Sequence, residues 1–135
     1  MSKYLEIVTK MDDPAVLAQT LREVGERLGF TCEAQGAGEL HGFFRDYRPA
    51  DFIIRQSEVK GMMADMGWAR AADGTYSVIY DDYGRAGGRV HQIINEVAYH
   101  YSVVEAERLA TREGYTIERE FNEAGQVVAL GLTMY

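Results

Sequence analysis

Residues 3–9, KYLEIVT, alternate Tyr4, Glu6 and Val8 against Leu5 and Ile7, a period of two that predicts a first strand. Asp13-Pro14 then opens a helix: the carboxylate can cap free amides, and Pro14 at the first helical position gives up no hydrogen bond. Val16 or Leu17, Leu21, Val24 and Leu28 recur every three or four residues, so the helix runs to about Leu28 with one buried stripe, and Gly29 supplies a left-handed stop. Phe30 to Gln35 reads as a short strand. Residues 36–49, GAGELHGFFRDYRP, show no period and are expected to form a loop carrying Phe43, Phe44 and Tyr47.

Three apolar runs follow, at 50–56 (ADFIIRQ), 61–71 (GMMADMGWARA) and 75–83 (TYSVIYDDY), and Asp73-Gly74 between the last two predicts a hairpin turn. Strand alternation puts Met62, Ala64, Met66 and Trp68 on one face of the second run, and Tyr76, Val78 and Tyr80 on one face of the third. After GRAGG (84–88) comes a long helix over about residues 89–113, with Val90, Ile93, Ile94, Val97, Tyr101 and Val104 as its stripe and Gly114 at its end. Residues 115–121 and 126–135, around a turn at 122–125, give two final strands.

The resulting order, βαβ-βββ-αββ, predicts one α+β domain spanning 1–135: a mainly antiparallel sheet, both helices on one face, with a ferredoxin-like flavour. An open sheet of about seven strands leaves a second face to cover, and the supply of aromatic and methionine side chains suggests that another subunit covers it. A homo-oligomer, with a dimer favoured, is therefore expected.

Composition narrows the function. The 135 residues carry 14 basic and 21 acidic side chains, net charge −7. An acidic chain without a basic patch argues against nucleic acid and against anionic membranes as partners. No apolar run reaches the length of a membrane span, and the opening MSKYLEIV lacks the order of a secretory signal, so a cytoplasmic protein is expected. The lone Cys32 excludes an internal disulfide and cysteine zinc sites and reads as a packed core or strand residue.

Four stretches in chain order, YLEIVTKMDDPAVLAQTLREVG, ADFIIRQ, DMGWARAADGTYSVIYDDYG and VAYHYSVVEAERLATREGYTIERE, resemble the domain of unknown function 1257 family, the hypothetical chloroplast reading frame 35 group of cyanobacteria, plastids and other bacteria. What they share is strand alternation, the Asp73-Gly74 turn and the run Ala98-Tyr99-His100; none is a catalytic motif. The resemblance implies a small soluble domain without an assigned activity, stromal in plastid relatives. It also implies an accessory role beside AAA-type ATPases, near which members are often encoded. Asp82-Tyr83 stands where members more often have an aromatic pair, and GRAGGR is outside the shared pattern.

Chemistry-bearing constellations are sparse. Gly84, Arg85, Gly87, Gly88 and Arg89 precede a helix, and free amides with two guanidinium groups could hold a small anion or a nucleotide phosphate, although the spacing fits neither common glycine-rich nucleotide fingerprint. Glu96 and His100, four apart, with His41 from the irregular stretch, are the candidates for a metal. Asp51 and Arg55 are expected to form an ion pair along one strand face. No serine has a Ser-His-Asp context and Cys32 has no neighbouring base, so no catalytic residue is nominated and no cofactor is implied. The expected function is a binding or adaptor module acting through protein contacts, with Phe43, Phe44 and Tyr47 as its partner surface. The alternative is anion binding at residues 84–89.

Overall fold

The computed structural model describes residues 3–34, 36 and 38–134. In chain order the elements are β1 (Leu5–Val8), α1 (Pro14–Leu28), β2 (Gly38–His41), β3 (Tyr47–Ala50), β4 (Phe52–Ile54), β5 (Met66–Arg70), β6 (Tyr76–Tyr80), α2 (Gly87–Arg112), β7 (Tyr115–Phe121) and β8 (Val127–Met134). The fold is α+β, with antiparallel strand pairing throughout.

The helices start and stop where their sequences dictate. The Asp13 carboxylate accepts from the amides of Ala15 (2.9 Å) and Val16 (3.2 Å), which have no partner inside the helix. Gly29 closes α1 at φ +86°, and its N–H donates to the Gly25 carbonyl at 2.8 Å. The start of α1 is tied to α2 by the Tyr101 hydroxyl, whose oxygen accepts from the amides of Asp12 and Asp13.

Strands β1, β6, β5 and β4 lie in that order in a four-stranded sheet. One face carries Phe52, Ile54, Met66, Trp68, Tyr76, Val78 and Tyr80, and the stripes of both helices pack on it, Val16, Leu17, Leu21 and Val24 from α1 and Val90, Ile93, Val97 and Val104 from α2. Each fully buried Leu or Val contributes about 2 kcal/mol of transfer free energy, so this layer carries most of the hydrophobic stabilisation. Among the described residues, no helix is long and apolar enough to cross a membrane.

Four expectations change. Residues 30–34 form no strand; Glu33 makes a single bridge to Ile53, and Gln35 lies outside the described residues. Residues 38–50 form a hairpin, β2 with β3, where a loop was expected. Ala64 joins the opposite side of the sheet from Met62, Met66 and Trp68, because the chain becomes a strand only at Met66 and period-two alternation does not extend before it. The strands also divide into one sheet and two separate hairpins, β2–β3 and β7–β8.

That division covers the second sheet face from within the chain. Leu40 of β2 and Ala50 of β3 bury against Tyr4, Ile53, Ala64 and Ile79 as a second core. The hairpin comes so close that a Cβ at Gly67 would sit 2.9 Å from the Leu40 side chain and 3.1 Å from the Ala50 Cβ, besides 2.5 Å from the Phe52 carbonyl oxygen of neighbouring β4. The other hairpin, β7–β8, rests on the flank of the helix pair. Tyr99 of α2 donates to the Val127 carbonyl at 2.5 Å, and Arg119 reaches Glu107 of α2 at 2.6 Å and Glu23 of α1 at 2.9 Å.

Candidate functional site

The β2–β3 hairpin is held just below its turn by one buried carboxylate. Asp65 accepts from the amides of His41 (2.8 Å) and Gln56 (2.9 Å) and from the Arg55 guanidinium (2.8 Å). Arg55 in turn donates to the Glu39 carbonyl on β2 and to Glu33. These charged hydrogen bonds, the one to Glu33 foremost, raise the guanidinium pKa above its ordinary value. The Tyr4 hydroxyl donates to the Asp65 carbonyl at 2.8 Å, and burial together with the Asp65 charge pushes its phenol well above the usual range. A buried, fully hydrogen-bonded carboxylate therefore fixes where the hairpin leaves the sheet.

The turn begins immediately beyond His41, with Gly42 packed on the Tyr4 ring. Phe44 and Arg45 have φ of +54° and +58°, the pair of positive angles found in a type I′ turn, and the Asp46 N–H closes the turn on the Phe43 carbonyl at 3.1 Å. Asn-Gly would adopt this backbone freely. Phenylalanine and arginine instead pay about 1–3 kcal/mol each in local strain. Phe44 is 90% exposed, Tyr47 is exposed with its ring centroid 4.8 Å from that of His41, and Phe43 is half-buried beside Phe44. Arg48 bonds Asp46 and lies over the Tyr4 ring, which stiffens the strand below the tip. The three sequence-predicted partner residues are thus brought together at one apex, on a hairpin and not in an irregular loop.

At the glycine-rich segment, Gly84 has φ +95°, Arg85 is exposed, and α2 begins at Gly87 without a side-chain cap. A side chain at Gly87 would collide with the Asp82 carbonyl, whereas Gly88 faces open space. Arg89 is engaged, donating to the Leu28 carbonyl and to Gln92. Asp82 accepts from His91 Nε2 at 2.8 Å, so an internal carboxylate stands beside the first turns of α2, in the field an anion would use.

The metal candidates are dispersed. Glu96 accepts from Arg27 and from Gln126, His100 donates its Nε2–H to Glu23 at 2.8 Å, and His41 lies on β2 in the separate hairpin. Among the described residues no three His, Cys, Asp or Glu side chains converge as metal ligands would. The expected Asp51–Arg55 pair does not form either: Asp51 accepts from the Arg70 amide, and Arg55 turns to Asp65 and Glu33. The fold draws Arg55 across the sheet edge to the most buried carboxylate within reach.

Sequence reasoning missed Asp65. Its signal was an acidic residue inside the apolar run MMADMGW, a position where a charge survives only if fully partnered.

An α+β domain with a buried ionic base under a strained, aromatic hairpin tip is the class of protein these features define. The sequence profile of the family described as Protein of unknown function (DUF1257) matches residues 25–130, and the chain belongs to that family. No curated protein matches the chain, and no solved structure does.

Proposed function

We propose that this chain is a protein-binding module that engages its partner through the β2–β3 tip, with Phe44 as the anchor and Phe43 and Tyr47 beside it. The observation that carries the reading is the strained turn itself. Two consecutive non-glycine residues hold left-handed backbone in order to present a phenyl ring and a guanidinium to solvent. Strain kept at an exposed position without stabilising the fold is a mark of a functional site. A rigid base under an exposed aromatic lowers the entropic cost of docking. The matching surface on the partner is an apolar pocket for Phe44 with acidic groups at its rim for Arg45. The family resemblance makes an AAA-type ATPase subunit the first partner to try.

The test is a Phe44→Asn, Arg45→Gly double variant, which keeps the turn and removes the contact. Wild-type protein should retain the ATPase subunit on an affinity surface, and the variant should release it while remaining folded. Equal retention by both removes the tip as the docking surface.

The second reading is anion binding at the start of α2, favoured by the uncapped helix end, the open space at Gly88 and exposed Arg85. Asp82 opposes it. Inorganic phosphate should then raise the melting temperature of the wild type and leave an Arg85→Ala, Arg89→Ala variant unmoved. No shift in the wild type dismisses this reading.

A further inference from the structure

We infer that two copies of this chain associate through the free edge of β8, running antiparallel across a two-fold axis so that their β7–β8 hairpins merge into one four-stranded sheet. β8 is eight residues long, VVALGLTM, with no charge and no proline, and among the described residues it pairs only with β7. Its single irregularity comes at the start, where the register shifts opposite Glu120 and Phe121, leaving Ala129 to Met134 regular.

Exposed strand edges are normally guarded by shortness, charge, proline or bulges. The other edges of this molecule have such guards. β4 has three residues, β1 has four with Glu6 exposed between Lys3 and Lys10, β2 has four with Glu39 exposed, and β3 contains Pro49. β7, on the opposite side of the same hairpin, carries Glu118, Arg119 and Glu120. β8 alone combines length with the absence of any of these along its regular part.

The side chains agree with the backbone. Tyr115, Ile117 and Arg119 of β7 share a face with their partners Met134, Leu132 and Leu130 of β8. Under β7 this face is covered by the helices, with Arg119 paired to Glu107 and Glu23. Under β8 the cover runs out, leaving Leu132 49% and Met134 57% exposed. A second β8 laid alongside brings its own Leu130, Leu132 and Met134 to the same uncovered side.

The edge is self-complementary: the free N–H and C=O groups of an antiparallel strand edge match those of an identical strand reversed, and since β8 carries no charge, two acidic copies meet along it without setting like charges face to face. Identical strands paired antiparallel close under a two-fold axis, giving a discrete dimer and no fibre.

Sedimentation of the full chain over a wide concentration range tests this. The mass should rise from 15.2 kDa toward twice that value, and Leu132→Lys with Met134→Lys should hold it at 15.2 kDa. A wild type that stays monomeric overturns the inference, as does a dimer indifferent to the lysines. Should the lysine variant fail to fold, a Gly131→Cys variant in a Cys32→Ser background gives an independent reading. A side chain at Gly131 meets Glu118 only at ordinary contact distance, and with the two-fold axis beside Gly131, near the middle of the regular residues 129–134, mild oxidation should link two copies. A Glu118→Cys variant in the same background should stay unlinked. No linkage at Gly131→Cys overturns the β8 pairing.

Discussion

Arg55 donates to Asp65 at 2.8 Å, and the pair ties the β2–β3 hairpin to the central sheet from both sides, Arg55 through the Glu39 carbonyl and Asp65 through the His41 amide. Asp65 is 2% exposed and Arg55 partly solvated, and the same carboxylate also satisfies the amides of His41 and Gln56. Replacing Asp65 with Ala strands three donors. Breaking a buried pair from one side costs about 3–5 kcal/mol, and the partial exposure of Arg55 places this one near 3 kcal/mol. Urea denaturation should show that loss. The hairpin amides of His41 and Leu40 should exchange with solvent faster than those of β6.

Relief of the turn strain should have the opposite sign. The Phe44→Asn, Arg45→Gly variant should gain about 1 kcal/mol or more. A rise in Tm of roughly 3–6 °C by scanning calorimetry would register it. A Phe44→Asn variant less stable than the wild type would show that the ring supports the fold instead of a partner.

Acid sensitivity should be concentrated at the β7–β8 latch. Burial raises the Glu23 pKa, but hydrogen bonds from His100, Gln19 and Arg119 outweigh it and hold the carboxyl below its ordinary 4.5. A lowered folded-state pKa stabilises the protein at pH values above the unfolded one, and that contribution disappears as pH falls through the folded value. Stability should therefore drop more steeply below about pH 4.5 in the wild type than in Glu23→Gln, while the variant is the less stable of the two at neutral pH. Parallel acid limbs would contradict the assignment.

Cys32 should be a slow thiol. Burial, helped by the Glu33 charge, pushes it up to about 12 from 9.0, and it lines a cleft of about 670 Å³ with Leu21, Phe30 and Phe52. The thiolate fraction near pH 8 falls well below that of a free thiol, so a disulfide reagent should react at least about tenfold more slowly with folded protein than with protein in denaturant. Burst labelling of the native protein would show the thiol to be open.

Crowding at Gly67 can be read directly. Any Cβ there meets the Phe52 carbonyl oxygen at 2.5 Å, and backbone cannot swing aside as a side chain can. Gly67→Ala should destabilise the protein by about 2 kcal/mol or more in a denaturant titration, through strain on the β4–β5 pairing and on the hairpin packed above it at Leu40.

Local chemistry in the sequence determined both helices, the Asp13 cap, the Gly29 stop, the Asp73-Gly74 turn and the faces of β5 and β6, because each depends on residues within about one helical turn or one strand repeat of each other. The aromatic apex was legible too, since Phe43, Phe44 and Tyr47 stand close together in the chain. Tertiary structure alone decided that residues 38–50 fold back as a hairpin over the sheet. The signal for it is Leu40 meeting Gly67, a contact that no local period encodes. It also decided the partners of the charges. Arg55 chose Asp65 over Asp51, and His100 chose Glu23 over Glu96, because a polar group withdrawn from water takes the nearest partner the packing offers, wherever that residue lies in the chain.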